Sequence, residues 1–356
     1  MRRQVLAPPV PVSIDGFAGE EWFNPVTVRR EQIRLALDSA EPPQRPLDRE
    51  ELAEAHEADP TPRHLLDPAK GWFRTLERHA SLFLSHHVFP RIPGIQIPYT
   101  LQLDRNLLVS EADVALRGLD PRLDGAKVLF VSDFHAGPFL SPRALDRTLQ
   151  RLAGLDPDLI LIGGDFASTN VAEFERCAPA LRQLQAPLGV FGVMGNHDYY
   201  TEDPAKLWRV IEQQGVRMLR NDALRVERDG ASLVVAGLDD YLMGTPDMAA
   251  TARAIRRARG DSGAPTVMLS HNPDALFEAS AADVDLVLSG HTHGGQVRVP
   301  KLPVLVRMSR FRLDQGRYQS GATQLIVSRG MGVSGIPLRL YCPPEAMLVT
   351  LRTSAP

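Results

Sequence analysis

Residues 127 to 165 read KVLFVSDFHAGPFLSPRALDRTLQRLAGLDPDLILIGGD, in which two apolar runs flank a helical pattern. The runs at 128–131 and 159–162 are continuously apolar, as is typical of strands that are buried on both faces of a sheet. Between them, Ser141-Pro142 is a typical helix start, and leucines follow it at helical spacing. Strand alternating with helix predicts an α/β domain with helices on the sheet faces.

The same alternation continues toward the C-terminus. Four further apolar runs predict buried strands at 190–194, 233–236, 267–269 and 286–288. Helix starts are predicted at Asp203-Pro204, Thr245-Pro246 and Asn272-Pro273. Three later segments resemble strands with no long helix between them, and they are Gln296–Val299, Gln324–Val327 and Met347–Leu351. A mixed sheet or a second sheet would accommodate them.

The composition of the 356 residues is that of a soluble globular protein, with 44% hydrophobic and 23% charged residues. The formal net charge of −3 excludes a global basic field that would recruit nucleic acid or anionic lipid. The two cysteines, Cys177 and Cys342, have no metal-ligand spacing and argue against a disulfide framework or a zinc ribbon. The sequence contains no signal-peptide core and no run of about 18 apolar residues, so the expected location is the cytoplasm.

The chain divides into three predicted regions. Residues 1–65 are rich in proline and acidic side chains, which predicts a flexible or loosely packed extension. Residues 66–120 would form a helix and a connecting strand, and residues 121–353 the main domain. The helix, predicted within 68–90, has an aromatic apolar face with basic residues beside it. Such a helix packs on its own domain or lies at a membrane surface, and the second arrangement would place the protein peripherally at the inner membrane.

Polar clusters follow five of the six apolar runs. They are Ser132-Asp133-Phe134-His135, Gly163-Gly164-Asp165, Gly195-Asn196-His197-Asp198, Ser270-His271-Asn272 and Gly290-His291-Thr292-His293. In α/β sheets, ligands gather in the crevice beyond the carboxyl ends of the strands. We therefore expect the clusters to converge in space, although about 160 residues separate the first from the last.

The residue types in these clusters suit two hard-to-borderline divalent cations. Carboxylates and amides supply oxygen, imidazoles supply nitrogen and no thiolate is present, which favours Mn²⁺, Fe²⁺/Fe³⁺ or Zn²⁺. Asp133 and His135, at i and i+2, would point the same way from an extended segment, as would His291 and His293. A glycine before three of the clusters would let the backbone turn tightly. Each cluster alone also fits a turn, a helix cap or a buried structural histidine, but the set predicts a metal site.

With these blocks the sequence resembles the calcineurin-like metallophosphoesterases. The resemblance covers roughly residues 125–351 and rests on Asp133-x-His135, Gly164-Asp165, Gly195-Asn196-His197-Asp198, His271 and Gly290-His291-x-His293. It is closest to the YkuE/YaeI-like phosphodiesterase branch through the segments 270–274, 290–296 and 332–345. It implies a four-layer α/β/β/α sandwich of mixed sheets flanked by helices. That branch includes bacterial enzymes that act at the membrane or envelope, among them a pyrophosphatase of UDP-diacylglucosamine.

The resemblance also implies a role for each matching position. One metal ion would be bound by Asp133, His135, Asp165 and His293. The other would be bound by Asp165, Asn196, His271 and His291, with Asp165 bridging. The catalytic imidazole would be His197. Many relatives carry an acid three residues after the bridging aspartate, which orients this imidazole, but Ser168 stands there in this chain. The imidazolium would therefore lack an ionic partner.

Three functions fit these observations. We favour hydrolysis of a phosphodiester or pyrophosphate bond by two-metal activation of water, on a lipid- or nucleotide-linked small molecule. A DNA or RNA nuclease is the alternative enzyme, but no basic stripe with interleaved aromatic residues tracks a nucleic acid backbone. A non-catalytic metal-binding interaction module is the third, for which Ser168 is the one indication. Arg339 and Arg329 are candidates for binding a substrate phosphate, and both also fit a surface salt bridge.

Overall fold

The computed structural model describes residues 83–299, 304 and 308–354. The predicted extension at 1–65 lies outside these residues, as does most of the predicted helix within 68–90. The described end of that helix consists of a π-helical turn, Leu84–Val88, and a 3-10 turn, Phe89–Arg91. The predicted division of the chain into three regions stays a prediction.

Two six-stranded mixed sheets form the centre of the described part of the chain. The first sheet contains, in spatial order, β1 (Leu108–Leu116), β12 (Glu345–Thr353), β2 (Lys127–Val131), β3 (Leu159–Ile162), β4 (Val190–Gly192) and β5 (Arg217–Met218). The second contains β10 (Gly316–Ser320), β11 (Thr323–Val327), β9 (Leu286–Ser289), β8 (Thr266–Leu269), β7 (Ala231–Gly237) and β6 (Asp222–Arg228). Strands β2 to β5 are parallel, as are β7, β8, β9 and β11. The parallel segments therefore end at one edge of each sheet, where connecting loops can meet.

Helices cover the outer faces of both sheets. The α-helices of the described residues are α1 (Ile97–Asn106), α2 (Pro142–Ala153), α3 (Val171–Cys177), α4 (Asn196–Tyr200), α5 (Pro204–Glu212), α6 (Met248–Arg259) and α7 (Leu276–Ala281). Short 3-10 helices lie at Pro121–Leu123, Ala178–Gln183, Gly260–Ser262, Pro273–Ala275 and His293–Gly295. Proline at the first position begins α2 and α5 as predicted, and the Asp203 side chain accepts a hydrogen bond from the Lys206 backbone N–H at 2.8 Å.

Three buried apolar clusters hold the layers together. The cluster between the sheets joins Phe130 and Leu161 of the first sheet to Val235 and Leu288 of the second. The outer face of the first sheet packs on α2 and α3, and that of the second sheet packs on α6 and α7. Neighbouring residues of β2 and β7 face opposite clusters, because successive side chains of a strand point to opposite faces. The burial of each apolar side chain contributes roughly 1.5–3 kcal/mol to the free energy of unfolding. The predicted four-layer α/β/β/α sandwich is confirmed.

All six predicted apolar runs form strands, although β4 ends at Gly192, two residues before the predicted end at Met194. Two other predicted elements differ from the structure. The helix predicted at Thr245-Pro246 begins at Met248, because the side chain of Asp247 accepts the Ala250 backbone N–H at 2.7 Å and caps the helix there. The strand predicted at Gln296–Val299 is wrong. Gln296 has a φ of 52°, outside the extended region, and only one isolated bridge forms in the segment, between Val297 and Leu340.

The structure describes seven α-helices and several short 3-10 helices in residues 83–299, 304 and 308–354. None of the helices found there combines the length and the apolarity that crossing a bilayer requires.

Candidate metal centre

Five of the loops that follow parallel strands meet at one edge of the sandwich. The loops after β2, β3 and β4 come from the first sheet, and those after β8 and β9 come from the second. They carry all seven predicted ligands, each at most 8% exposed, namely Asp133, His135, Asp165, Asn196, His271, His291 and His293. The convergence expected from the sequence is therefore present, and it joins the two sheets.

One group of donor atoms surrounds a single point. Ligand atoms of Asp133, His135, Asp165 and His293 all lie within 4.8 Å of one another. The Nε2 atoms of His135 and His293 are 2.9 Å apart, and His135 Nε2 is 3.3 Å from Asp165 Oδ2. Imidazole nitrogens and carboxylate oxygens aimed at one point are a donor set that suits a divalent cation.

A second group lies on the other side of Asp165. Asn196 Oδ1 is 2.9 Å from His291 Nδ1 and 3.2 Å from His271 Nε2. His271 Nε2 is also 3.3 Å from Asp165 Oδ2, the same oxygen that faces His135. One carboxylate oxygen thus stands between two sets of donors, which is the arrangement that a bridging ligand of two cations requires. The residues fit a binuclear centre.

Hydrogen bonds to the backbone fix how these side chains present their donor atoms. His271 Nδ1 is 2.7 Å from the Gly163 carbonyl oxygen, so Nδ1 carries a proton that it donates there, and Nε2 is the atom that would bind a cation after losing its own proton. Asp133 accepts hydrogen bonds from the Ser132 hydroxyl at 2.5 Å and from the His291 backbone N–H at 3.0 Å. The second bond ties the loop after β2 to the loop after β9.

The charges of the centre are set by burial and by mutual attraction. Burial holds the pKa of the His135 and His293 imidazoles well below the usual value, which keeps both rings neutral. Burial opposes ionisation of Asp165, but the His271 ring and other nearby imidazoles outweigh it and hold the pKa of this carboxyl well below its usual value. Burial likewise opposes protonation of His271, yet the Asp165 carboxylate raises its pKa to about 10. Cation binding at neutral pH would therefore release a proton from His271.

The backbone of the ligand loops is left-handed at five of the predicted ligands. The φ angles are 56° at Asp133, 46° at His135, 53° at Asp165, 69° at His291 and 52° at His293. Such angles cost roughly 1–2 kcal/mol for a residue with a Cβ. The expectation of an extended Asp133–His135 segment is thus wrong, as it is for His291–His293. The side chains converge through tight loops, and the surrounding sheets bear the strain.

The predicted role of the glycines holds at one position and changes at two. Gly164, before Asp165, has a φ of 93° and makes the tight turn that was expected. Gly195 and Gly290 instead provide space for carboxylates. A Cβ at Gly195 would stand 2.2 Å from Asp165 Oδ1, and a Cβ at Gly290 would stand 2.3 Å from Asp133 Oδ2.

His197 lies beside the first group of donors and is oriented by the backbone. Its Nδ1 is 2.9 Å from the main-chain oxygen of Ser168, and its ring centroid is 4.6 Å from that of His135. The hydrogen-bond partner that orients His197 is therefore the main-chain carbonyl of Ser168, whereas the sequence suggested only the hydroxyl of this residue. Asp198 faces elsewhere, since its carboxylate accepts the backbone N–H groups of Ala167 and Gly195 at 2.9 Å each.

The two arginines predicted from the sequence occupy different surroundings. Arg339 is 4% exposed, and its guanidinium donates to the main-chain oxygens of Gly332 at 2.8 Å and Arg329 at 2.7 Å. It also lies 3.2 Å from His293 Nδ1, so it supports the loop that carries this predicted ligand. Arg329 pairs with buried Glu345 at 2.8 Å. Substrate binding by Arg339 stays a prediction, and its contacts favour a positioning role.

Asp240 belongs to the centre but is not among the predicted site residues. It follows β7, the fourth apolar run, and is fully buried. Its Oδ2 accepts the backbone N–H groups of Leu242 and Met243, while its Oδ1 accepts no hydrogen bond within the part of the chain that the structure describes. The carboxylate lies close enough to His271 to raise the pKa of that imidazole. The sequence signal was the acidic pair Asp239-Asp240 directly after a buried strand.

Comparisons with known proteins agree with this geometry. The family described as calcineurin-like phosphoesterase matches residues 126–295. The uncharacterized metallophosphoesterase YkuE of Bacillus subtilis strain 168 is 30% identical over 261 residues, which are 72% of this chain and 90% of YkuE. An uncharacterized metallophosphoesterase of Aquifex aeolicus is 31% identical over 240 residues, which are 65% of this chain and 87% of that protein. A Bos taurus transmembrane protein with a metallophosphoesterase domain is 31% identical over 259 residues, which are 69% of this chain and 57% of that protein.

Proposed function

The chain belongs to the calcineurin-like metallophosphoesterases, a family of phosphate-ester hydrolases, and from that premise we propose that it hydrolyses a phosphodiester or pyrophosphate bond in a small molecule. The observation that carries the proposal is the position of Asp165 Oδ2, 3.3 Å from both His135 Nε2 and His271 Nε2. A nucleotide- or lipid-linked phosphate is the substrate class we favour. The activity, substrate and partners of the whole protein are part of this proposal.

Two divalent cations, Mn²⁺, Fe²⁺/Fe³⁺ or Zn²⁺, would occupy the two donor groups and, when bound, supply Lewis acidity toward the phosphate and lower the pKa of water. The protein contributes the geometry of the donors. Asp165 fixes the separation of the two groups, and the Gly163 carbonyl holds His271 in the tautomer that binds through Nε2. The negative charge of a bound phosphate would thus face a site whose donor groups are already held in position by the fold.

His197 is the proposed proton carrier. Its Nδ1–H is directed to the Ser168 carbonyl, which leaves Nε2 as the atom that exchanges a proton. The imidazolium form donates that proton to the departing oxygen, and the neutral form recovers it from solvent. The ring is partly exposed, unlike the buried ligands, so it can contact a substrate.

A diesterase is favoured over the two alternatives. The net charge of −3 and the absence of a basic stripe in the sequence do not support a nuclease. A non-catalytic metal-binding module would have no use for an oriented His197, whose ring is held by the Ser168 carbonyl beside the donors. The complete set of seven converging ligands also supports catalysis.

The proposal is tested with metal-free protein and two chromogenic esters. We expect hydrolysis of bis-p-nitrophenyl phosphate on addition of Mn²⁺ or Zn²⁺, loss of that activity with EDTA, and a lower kcat/KM for the p-nitrophenyl monoester. Preference for the monoester would replace the diesterase by a phosphomonoesterase. No turnover of either ester with any of Mn²⁺, Zn²⁺, Mg²⁺ or Fe²⁺, while two cations bind, would contradict the proposal and favour the non-catalytic module.

Exposed apolar side chains favour a lipid surface as the site of action. Among the described residues, the exposed large apolar side chains lie in three segments, 83–101, 299–308 and 336–341, and are Phe83, Leu84, Ile92, Ile97, Leu101, Val299, Met308, Ile336, Leu338, Leu340 and Tyr341. Two hydrogen bonds join the end of the first segment to the third, because the Gln102 side chain pairs with the main chain of Arg339 at 2.8 and 2.9 Å. Arg91, Arg105 and Arg310 each lie within four residues of one of these apolar residues along the sequence. We infer peripheral contact with anionic lipid, which is the localisation predicted for the cytoplasmic face of the inner membrane.

Liposome sedimentation tests the lipid contact. We expect the protein to sediment with phosphatidylglycerol-containing liposomes, less so at high salt, and the variant Leu338→Asp/Leu340→Asp to remain in the supernatant because two charges oppose insertion. The matched control is Gln213→Asp/Gln319→Asp, which adds the same charge at exposed positions outside the three segments. Equal recovery of all three proteins in the supernatant would contradict the contact.

A further inference from the structure

A cavity of about 440 Å³ is lined in part by the loop that follows β2, the loop that also carries the predicted ligand His135. Its walls are the segment 92–96, the loop 137–142 that follows β2, and helix α3. Most of the lining is apolar and comes from Ile92, Pro93, Ile95, Pro138 and Leu140. The charged side chains on the wall are Glu173 and Arg176, both on α3. This volume is within the range of small-molecule pockets, about 300–1,000 Å³.

The cavity shares a wall with the loops that carry the centre. Gly137, on the wall, follows the predicted ligand His135 by two residues. A Cβ at Gly137 would stand 2.7 Å from the Cβ of Ser168, so the two loops touch there. The main-chain oxygen of Ser168 is the atom that orients His197, at 2.9 Å. A group bound in the cavity therefore lies against the loops that position both a predicted ligand and the proposed proton carrier.

Glu173 is a polar residue of the cavity wall whose carboxylate is poorly paired by the described residues. Its side chain is 11% exposed, and its Oε2 is shielded from solvent without accepting a hydrogen bond from any group of the described residues. Arg176 is 4.0 Å from the other oxygen and is itself mostly exposed, so it neutralises the carboxylate poorly. Burial raises the pKa of Glu173 to about 7. A buried carboxyl without a donor is costly, and a ligand N–H or O–H would remove that cost.

We propose that this cavity is a substrate subsite that takes one organic group of the phosphoester, an apolar group with an N–H or O–H donor that bonds to Glu173. The inference rests on the proposed function, because it names the substrate class of the same centre. The terminal torsion of a glutamate is broad, so either carboxylate oxygen can turn toward the cavity. A nucleobase and an aminoalkyl or hydroxyalkyl headgroup both offer this chemistry.

Matched pairs of p-nitrophenyl diesters test the subsite. The first pair is the thymidine 5′-ester and its N3-methyl derivative, which lacks the donor, and the second is the 2-aminoethyl ester and the ethyl ester. We expect at least one donor ester to exceed its partner in kcat/KM by about tenfold, the effect of one hydrogen bond to a charged group. Glu173→Leu should reduce that ratio to about one. Glu173→Gln keeps an acceptor without charge, so it should preserve a thymidine preference and abolish an aminoethyl preference.

Two further variants separate a subsite from a general effect of mutation. Glu175→Leu changes the same helix at a position outside the cavity, where Glu175 pairs with Lys206 at 2.7 Å, and should leave every ratio unchanged. Ile92→Trp replaces the isoleucine side chain at the cavity wall by a bulkier indole ring, at a position that is 43% exposed. It should lower the ratio between the thymidine ester and the methyl ester. Unchanged ratios in both Glu173→Leu and Ile92→Trp would overturn the subsite.

A binding measurement separates failure of the subsite from failure of the proposed function. Saturation-transfer NMR with metal-free protein and thymidine 5′-monophosphate or O-phosphoethanolamine needs no turnover. We expect saturation transfer from the wild-type protein to the protons of the organic group, and we expect this transfer to be lost in Glu173→Leu. If diesters are hydrolysed but neither ratio nor saturation depends on Glu173, the subsite is wrong and the phosphoesterase stands. If no diester is hydrolysed, saturation that depends on Glu173 supports the subsite, and saturation that is absent or unchanged overturns it.

Discussion

Asp165→Asn is expected to lower kcat/KM for diester hydrolysis by roughly 10³-fold or more and to reduce cation binding below two per chain. The physical reason is the position of Asp165 Oδ2, which is 3.3 Å from a nitrogen of each donor group. An amide removes the negative charge that both cations would share. Metal content is measured by elemental analysis after equilibration with Mn²⁺, and activity is measured on bis-p-nitrophenyl phosphate.

The control for this variant is Asp229→Asn. Asp229 is exposed and has a φ of 54°, close to the 53° of Asp165, so the two substitutions make the same change on a similar backbone. Thermal unfolding provides a second control. Cations that bind only the folded state raise Tm, so Mn²⁺ should stabilise the wild type and Asp229→Asn more than Asp165→Asn. Two bound cations and full activity in Asp165→Asn would rule out a bridging role.

His197→Ala is expected to lower kcat by roughly 10²–10⁴-fold while both cations stay bound. The loss should be largest for an ester with a poor leaving group, because an alkoxide needs a proton more than p-nitrophenolate does. His197 lies beside the donors with its ring 4.6 Å from that of His135, and its Nδ1 bonds to a carbonyl. Steady-state kinetics on aryl and alkyl esters, with metal analysis, measures both effects.

Ser168→Ala is the matched control for the orientation of His197. The acceptor of the His197 Nδ1–H is the main-chain oxygen of Ser168, which alanine retains. We therefore expect kcat within about twofold of the wild type, equivalent to roughly 0.4 kcal/mol. A large loss in Ser168→Ala would mean that the hydroxyl, and not the carbonyl, orients the imidazole. An equal loss on aryl and alkyl esters in His197→Ala would contradict proton donation to the leaving oxygen.

The sequence was sufficient for the architecture because the signals are local. Continuously apolar runs such as 128–131 and 159–162 became strands with both faces covered, since each face must be buried against a layer. Proline and aspartate at helix starts act within one turn, which is why α2 and α5 begin where predicted. The segment at 296–299 is one of the elements that the sequence mispredicted. Its conformation follows from the Gln296 side chain, which bonds to Ser334, about 40 residues away.

The sequence by itself selected seven residues that the structure brings together at the candidate centre, although it missed Asp240, because residue type and position after a buried strand indicate carboxylate, amide and imidazole donors. Only the tertiary structure decided how those donors meet. The left-handed angles at Asp133, Asp165 and His291 exist because packed sheets hold the loops against their own preference. The partner of His197 is a main-chain carbonyl, which every residue type possesses and no sequence pattern distinguishes. Likewise, the buried environment of Glu173 arises where three distant segments pack together, so distances across the fold, rather than neighbours along the chain, set its chemistry.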